Sequence, residues 1–215
     1  MNPATKKLIA EYKKRSPEIK NRLAEFKPLR NSTDEDIFSE LCFCILTPQA
    51  KATSCDAAIK ELKKRGLLLK GGVRAIRSAL KGKVRFHNKK GGYLVGARRF
   101  FDKSDDRFGI VDKIKAADAF NVREWIVSKI KGLGYKEASH FLRNIGLGQD
   151  IAILDRHILK NLKRYGVIKR LPLSLTRKNY MAIEGKMRQF AKRTTIPLEE
   201  MDLLFWSLET GFVFK

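Results

Sequence analysis

The segment that most constrains the fold is the nine-residue stretch 130–138, with the sequence IKGLGYKEA. It places Gly132 and Gly134 between two helical patterns, a spacing typical of a helix-hairpin-helix. Glycine adopts backbone angles closed to other residues and lets a phosphate approach without meeting a side chain. The amides that begin the second helix would face that phosphate with the positive end of the helix dipole. We therefore expect phosphate contacts at Gly132 and Gly134, with an ordinary tight turn as the alternative.

Helix start and stop signals recur along the rest of the chain, and no stretch alternates polar and apolar residues as a strand does. The sequence therefore predicts an all-α fold. The predicted helix starts are Ser16-Pro17-Glu18, Thr33 before a buried helix from Ile37 to Leu46, Asn121 paired with Glu124, Thr176, and Ile196-Pro197. The predicted helix ends are Thr47-Pro48, Gly66 and Gly211.

The charge of the chain is strongly unbalanced. The 46 lysines and arginines against 23 acidic residues give a formal net charge of +23. Such a surplus destabilises a compact chain by self-repulsion, so it favours a polyanionic partner, and nucleic acid is the leading candidate. A basic surface that serves solubility, or a site for acidic membranes, are the alternatives.

The sequence gives no sign of a membrane span, a signal peptide or a metal site. No apolar run is long enough to span a bilayer, so we expect an intracellular, cytoplasmic protein associated with the nucleoid. The three cysteines are an odd, sparse set and do not form a disulfide framework. With only three histidines to add, no zinc or iron–sulfur ligand set emerges, and we expect no metal or cofactor.

Two residues downstream of the hairpin, Lys136 follows Gly134 and Tyr135, and the stretch 151–157 (IAILDRH) brings Asp155. This combination resembles the helix-hairpin-helix base-excision DNA glycosylases. Their bifunctional members carry a lysine just after the hairpin and an aspartate some nineteen residues later, and here 155 − 136 = 19.

Three further stretches resemble the second, archaeal type of 8-oxoguanine DNA glycosylase/AP lyase, and the similarity runs from about Leu23 to the last residue. They are 40–47 (ELCFCILT), 136–144 (KEASHFLRN) and 211–215 (GFVFK). Endonuclease III, a relative for oxidised pyrimidines, is disfavoured because its four-cysteine loop is missing. An adenine-specific relative is disfavoured because it lacks the lysine.

The resemblance implies that Lys136 is the amine nucleophile and Asp155 its carboxylate partner. A carboxylate stabilises the positive charge that develops on the sugar when the base leaves, and an amine forms a Schiff base that permits strand cleavage. A solvated lysine or phosphate contact is the alternative for Lys136, and a helix N-cap for Asp155.

The resemblance also implies residues that read the base and fill the gap in the stack. It implies base recognition by Lys215. Asp202 and Trp206 lie on the preceding helix, from which they could hydrogen-bond to the base and stack on it, although Trp206 is more often a core residue. His157 is expected to support a phosphate or the helix start rather than to act as a general base, with a partly buried, hydrogen-bonded structural histidine as the alternative. Gap filling is expected from Gln49, Arg85 and Phe86, with core packing as the alternative for Phe86 and an ordinary first-turn residue for Gln49.

The expected architecture is two helical lobes with DNA in the cleft between them. Residues 34–147 would form a central lobe that holds the hairpin at about 121–146, and residues 1–33 with 148–215 the second lobe. The expected partner is double-stranded DNA that contains an oxidised guanine, bound by a monomer. A non-enzymatic helix-hairpin-helix protein, or a glycosylase for another oxidised base, are the rival functions.

Overall fold

The computed structural model describes residues 3–26, 32–102, 109–115 and 117–214, and every regular element in those residues is a helix. The all-α expectation is therefore confirmed. In chain order the helices are α1 (Pro3–Phe26), α2 (Asp34–Leu46), α3 (Ala52–Lys64), α4 (Leu67–Lys70), α5 (Val73–Leu80), α6 (His87–Phe101), α7 (Ile110–Lys115), α8 (Ala119–Lys129), α9 (Tyr135–Asn144), α10 (Arg156–Arg164), α11 (Arg177–Thr194) and α12 (Leu198–Thr210).

Most of the predicted helix boundaries are confirmed. Thr33 caps α2, because its hydroxyl accepts a hydrogen bond from the backbone N–H of Asp36 at 3.2 Å. Thr176 caps α11 in the same way, and Pro197 precedes α12. Gly66 and Gly211 follow helix ends with φ of 62° and 91°, the left-handed backbone in which glycine is favoured.

The predicted helix start at Ser16-Pro17-Glu18 is wrong, since α1 runs through it without a break. Proline has no N–H, so it leaves the carbonyl of Lys13 without its usual helical partner. The hydroxyl of Ser16 donates to that carbonyl at 3.3 Å and takes over part of this role. Leu8 and Ile19, on either side of the proline, are fully buried, and their packing favours one continuous helix.

The predicted cap at Asn121 and Glu124 is also wrong. Asp118 caps α8 instead, and its carboxylate accepts from the backbone N–H groups of Phe120 and Asn121 at 2.9 and 3.2 Å. Glu124 accepts from the Tyr135 hydroxyl at 2.8 Å rather than from the helix start. Asp118 and Asn121 are both suitable N-cap residues three positions apart, and the sequence pattern predicted the later one.

The buried side chains of the described residues form two hydrophobic clusters. The first draws on α2 to α9 and runs from Ile37 to Ile151. The second combines α1 with α10, α11 and α12, and takes up the chain again at Ala152. The chain passes from one cluster to the other between Ile151 and Ala152, immediately before the stretch that carries Asp155.

All three cysteines of the chain are reduced and fully buried. Burial raises the pKa of the Cys42 thiol well above its usual range and that of Cys55 to about 11. Across the described residues, each helix is too short or too polar to serve as a membrane span.

Candidate active site

A cleft of about 1310 Å³ brings together elements from both hydrophobic clusters. Its walls come from the turn after α2, the start of α9, residues 153–158, α12 and the stretch 212–214. Most of the residues predicted for the site line it. They are Lys136, Asp155, Asp202, Trp206, Gly134, His157, Gln49 and Arg85. Gly132 and Phe86 do not line it, and Lys215 lies outside the described residues.

The two glycines of the hairpin have different structural roles. Gly132 has φ of 94°, and a Cβ placed on it would lie 2.6 Å from Cδ2 of Tyr93, so only glycine fits. Gly134 has an ordinary extended backbone, φ −95° and ψ −172°, so the expected unusual angles hold for Gly132 alone. Gly134 is the N-cap of α9, and its N–H donates to Oε2 of Glu137 at 3.2 Å. The sharp turn thus depends on Gly132, and Gly134 with Glu137 forms the N-terminus of α9.

Lys136 lies in the first turn of α9, at the wall of the cleft. Its Nζ forms an ion pair with Oε1 of Glu137 at 3.0 Å, and about a quarter of its side chain is exposed. Glu137 therefore binds both the hairpin backbone and the lysine. An amine that attacks a sugar carbon must be neutral, so this ion pair has to open before Lys136 could act as a nucleophile.

Asp155 is the N-cap of α10, as the alternative interpretation predicted. Its Oδ1 accepts from the backbone N–H groups of His157 and Ile158, both at 2.8 Å. Oδ2 has no hydrogen-bond partner among the residues that the structure describes. The cap fixes the orientation of the carboxylate, and the second oxygen can face a charge that develops in the cleft. The capping role and the predicted catalytic role are therefore compatible.

A buried network that the sequence analysis missed joins the Lys136 helix to the segment before Asp155. The hydroxyl of Tyr180, on α11, lies 2.7 Å from the carbonyl oxygen of Ala152, 3.2 Å from the N–H of Leu154 and 3.2 Å from Oγ of Ser139 on α9. One phenol thus contacts the elements that carry Lys136 and Asp155.

An ion pair from the other half of the hairpin supports the same segment. The guanidinium of Arg123, on α8, donates to both carboxylate oxygens of Glu184 at 2.7 and 2.9 Å. Glu184 also accepts from the N–H of Ala152 at 2.8 Å. The signal in the sequence was periodicity, since Arg123 shares a helix face with Ile126 and Ile130, and Glu184 lies one turn after Tyr180.

On α12, Asp202 is a carboxyl group in an apolar surrounding. Burial raises its pKa to about 6, and the nearby Asp155 adds to the rise, while Arg143 opposes it. Nη2 of Arg143 lies 3.8 Å from Oδ2 of Asp202, and the sequence analysis did not identify Arg143. Such a carboxyl at the wall of a cleft is suited to accept hydrogen bonds from a ligand that also excludes water.

Trp206 lies one turn after Asp202 and is part of an aromatic group rather than the core. Its ring centroid is 5.1 Å from that of Phe212 and 6.5 Å from that of Phe214. The carbonyl of Phe214 accepts from Nε of Arg22 at 3.2 Å, so the chain is anchored up to its penultimate residue. A flat aromatic surface and a buried carboxyl thus share one wall of the cleft.

The residues predicted to fill the gap in the DNA stack lie on two turns. Gln49 is exposed at the cleft with φ of 55°. Phe86 has φ of 58° and is 50% exposed, which removes the alternative that it is a core residue. The guanidinium carbon of Arg85 lies 5.4 Å from the centre of the Phe86 ring.

Basic side chains predominate around the cleft. His157 is partly buried, and its Nε2 accepts from Nε of Arg156 at 3.3 Å, which fits the alternative of a partly buried, hydrogen-bonded histidine as well as a role at the helix start. The lysines and arginines that line the cleft are Lys51, Lys83, Arg85, Lys136, Arg143 and Arg156, against three acidic residues. Within the described ranges no cluster of histidine, cysteine and acidic side chains has the arrangement of a metal site.

Comparison with known proteins places this geometry in context. Residues 19–196 match the sequence model of a family described as 8-oxoguanine DNA glycosylase. An 8-oxoguanine DNA glycosylase/AP lyase of Fusobacterium nucleatum is 49% identical over 212 residues, which cover 95% of this chain and 94% of that protein. A protein of the same name from Methanocaldococcus jannaschii is 40% identical, over 92% of this chain and 91% of its own length.

Solved structures agree with the sequence matches. The crystal structure of the Methanocaldococcus jannaschii 8-oxoguanine DNA glycosylase superposes with a TM-score of 0.88 at 37% identity, covering 99% of this chain and 96% of that one. A structure of the Methanocaldococcus jannaschii glycosylase/lyase in complex with a 15mer DNA containing 8-oxoguanine gives a TM-score of 0.87 at 37% identity, over 97% of this chain and 99% of that one.

Proposed function

Because the chain belongs to the 8-oxoguanine DNA glycosylase family, we propose that it excises 8-oxoguanine from DNA and then cleaves the strand at the abasic site. The observation that carries the proposal is one basic cleft that holds a lysine of the hairpin helix, a capped aspartate and a buried carboxyl beside a tryptophan. The relative bound to 8-oxoguanine DNA supports the same substrate, since its fold matches nearly the whole of this chain.

Asp155 is the group that we assign to the departure of the base. When the bond between base and sugar breaks, positive charge develops at C1′ and O4′ of the sugar, and a fixed carboxylate lowers the energy of that state. The two hydrogen bonds to Oδ1 hold the side chain in place before substrate arrives. The enzyme would therefore need little reorganisation when the charge appears.

Lys136 is the group that we assign to strand cleavage. Attack of its neutral amine on C1′ gives a covalent adduct that rearranges to a Schiff base, which acidifies the C2′ proton. Loss of that proton then expels the 3′ phosphate by β-elimination. Glu137 holds the ammonium at 3.0 Å in the free protein and is the nearest described carboxylate partner. The ion pair between Lys136 and Glu137 would open in the complex.

We assign the reading of the base to Asp202, Trp206 and Lys215. 8-Oxoguanine differs from guanine by an oxygen on C8 and by an N–H donor at N7, where guanine has an acceptor. A site that offers an acceptor to N7–H leaves guanine with two opposed lone pairs. Asp202 is a candidate for that acceptor, Trp206 supplies a surface for stacking, and Lys215, which follows them in the sequence, adds a cationic side chain.

The DNA itself would lie between two lobes, with boundaries at 34–147 for one and 1–33 with 148–215 for the other. The two hydrophobic clusters support a division of this kind, since both contribute to the cleft, although the chain passes from one cluster to the other at Ile151 and Ala152 rather than after residue 147. The hairpin at Gly132 and Gly134, with His157 at the start of α10, would contact the backbone phosphates. Gln49, Arg85 and Phe86 would occupy the space that the flipped nucleotide leaves. The proposal includes a monomer acting on DNA in the nucleoid, which light scattering and fractionation of cells would check.

A panel of duplexes, each with one damaged base, tests the function directly. Under single-turnover conditions we expect excision of 8-oxoguanine to exceed that of guanine and of oxidised pyrimidines. Borohydride should trap a covalent complex between the protein and the 8-oxoguanine duplex, because it reduces a Schiff base to a stable amine. DNA binding without trapping would support a non-enzymatic helix-hairpin-helix protein. Preference for another lesion would contradict the substrate.

A further inference from the structure

A buried lysine outside the cleft lining contacts the turn that carries Gln49. Lys90, on the first turns of α6, is 4% exposed. Its Nζ donates to the carbonyl oxygens of Leu46 at 2.7 Å and Pro48 at 2.8 Å. Burial lowers the pKa of Lys90, which shows that its charge is costly here. The end of α2 does not need a buried charge to satisfy the Leu46 carbonyl, because that carbonyl also accepts from Sγ of Cys55 at 3.2 Å.

Lys90 is also joined to the turn that carries Phe86. Its backbone N–H donates to the carbonyl of Phe86 at 3.0 Å. Gln49 and Phe86 both have left-handed backbones, at φ of 55° and 58°. This conformation is unfavourable for residues other than glycine, and it persists where the surroundings impose it, often at functional sites. Lys90 thus bonds directly to both turns.

We propose that Lys90 is a positioning residue that fixes the turn of Gln49 relative to the turn of Arg85 and Phe86. This inference rests on the proposed function, in which side chains from both turns fill the duplex where the damaged nucleotide has left. The Nζ bond to Pro48 ends one residue before Gln49, and the backbone bond ends at Phe86 itself. Side chains held at a set separation insert into DNA without a further loss of conformational entropy, so the clamp speeds base flipping.

The variant Lys90→Met tests this positioning role, because it keeps the approximate length of the side chain and removes the donors that bind the carbonyls of Leu46 and Pro48. Gap filling matters only when an intact duplex must be opened. Single-turnover excision of 8-oxoguanine is therefore compared between an intact duplex and a duplex whose lesion lies in an unpaired bubble. We expect the rate on the intact duplex to fall roughly tenfold or more, and the rate on the bubble to change by at most about twofold.

Arg98→Met is the matched control on the same helix. The guanidinium of Arg98 donates to the carbonyl of Leu68 within α4 at 3.3 Å and to that of Gly71 at its C-cap at 2.9 Å, and neither residue lines the cleft. This variant should lower the melting temperature without distinguishing the two substrates. The double variant Lys90→Met with Gln49→Ala should be no slower on the intact duplex than the slower single variant, because Lys90 acts through Gln49.

Equal loss on both substrates, additive effects with Gln49→Ala, or the same selective loss in Arg98→Met would each overturn the inference. If Lys90→Met does not fold, Lys90→Gln replaces it, since its amide can still donate to one carbonyl, and the same selective loss is expected at a smaller size. Failure of the unaltered protein to excise 8-oxoguanine would overturn the proposed function and this inference with it. An active protein with an unselective Lys90 variant would overturn the inference alone.

Discussion

Replacing Asp202 by asparagine tests two effects of this buried carboxylate, its cost to folding stability and its proposed role in base recognition. Its pKa rises from 3.8 to about 6, mainly through burial and against the opposing effect of Arg143. One pKa unit corresponds to ~1.36 kcal/mol, so ionising Asp202 costs about 3 kcal/mol more in the folded chain than in the unfolded chain. Asparagine resembles the protonated carboxyl in shape and cannot ionise.

The sign of the effect follows from proton binding. Between pH 4 and 6 the folded carboxyl holds its proton while the unfolded one has lost it, so the unaltered protein loses stability as pH rises through this range. The full cost is present above about pH 6. Asp202→Asn should therefore match the unaltered protein near pH 4 and exceed it at pH 8 by up to about 3 kcal/mol, which raises Tm by roughly 6–12 °C for a chain of this size.

Thermal unfolding followed by circular dichroism from pH 4 to 8 measures this difference. Excision of 8-oxoguanine by the same variant should fall roughly ten- to a hundredfold, because an amide accepts a hydrogen bond more weakly than a carboxylate and adds a competing donor. Asp118→Asn is the control, since Asp118 is an exposed cap whose pKa is lowered by its hydrogen bonds to Asn121 and Phe120. A stability difference between Asp202→Asn and the unaltered protein that is the same at pH 4 and pH 8 would refute the reasoning.

Three substitutions and one deletion test the other assigned roles. Lys136→Gln should abolish borohydride trapping and strand cleavage while DNA binding in a gel-shift assay survives; full trapping would move the nucleophile elsewhere. Asp155→Asn should slow excision roughly a hundredfold or more with little change in Tm, since asparagine also caps helices, and activity within a few-fold would leave Asp155 only a cap. Tyr180→Phe should lower stability by about 1–2 kcal/mol and slow both excision and abasic-site cleavage. If Tm falls while both rates stay unchanged, Tyr180 has no role in catalysis. Removal of Lys215 should reduce 8-oxoguanine excision roughly ten- to a hundredfold but spare cleavage at a preformed abasic site, and equal losses on both substrates would remove Lys215 from base recognition.

The parts of the fold that the sequence predicts are those set by neighbouring residues. The cap at Thr33 and the left-handed turns at Gly66, Gly132 and Gly211 depend on contacts within a few positions, and the structure has them all. The failures are of another kind. Pro17 predicts a helix start, but the buried packing of Leu8 and Ile19 on either side of it favours one continuous helix.

The candidate site divides in the same way. Lys136 and Asp155 follow from a motif and a spacing, and both line one cleft. The groups that hold them in place do not, because Tyr180 and Glu184 lie on a separate helix and contact the supporting segments from 26 to 41 residues away along the chain. In the sequence Lys90 is one basic residue among many. Its role depends on the backbone carbonyls of Leu46 and Pro48, which folding brings within hydrogen-bond distance of its Nζ.

The burial of the cysteines has a consequence for the conditions in which this protein works. The proposed substrate is a product of oxidation, so the enzyme would be needed most when oxidants are abundant. Oxidants attack the thiolate form of cysteine, and a buried thiol with a raised pKa scarcely forms it. Cys42, Cys44 and Cys55 are fully buried, and the pKa of Cys42 and Cys55 is raised. The packing of the first cluster therefore buries every thiol of the chain, and we expect the oxidants that create the proposed substrate to react with these thiols only slowly.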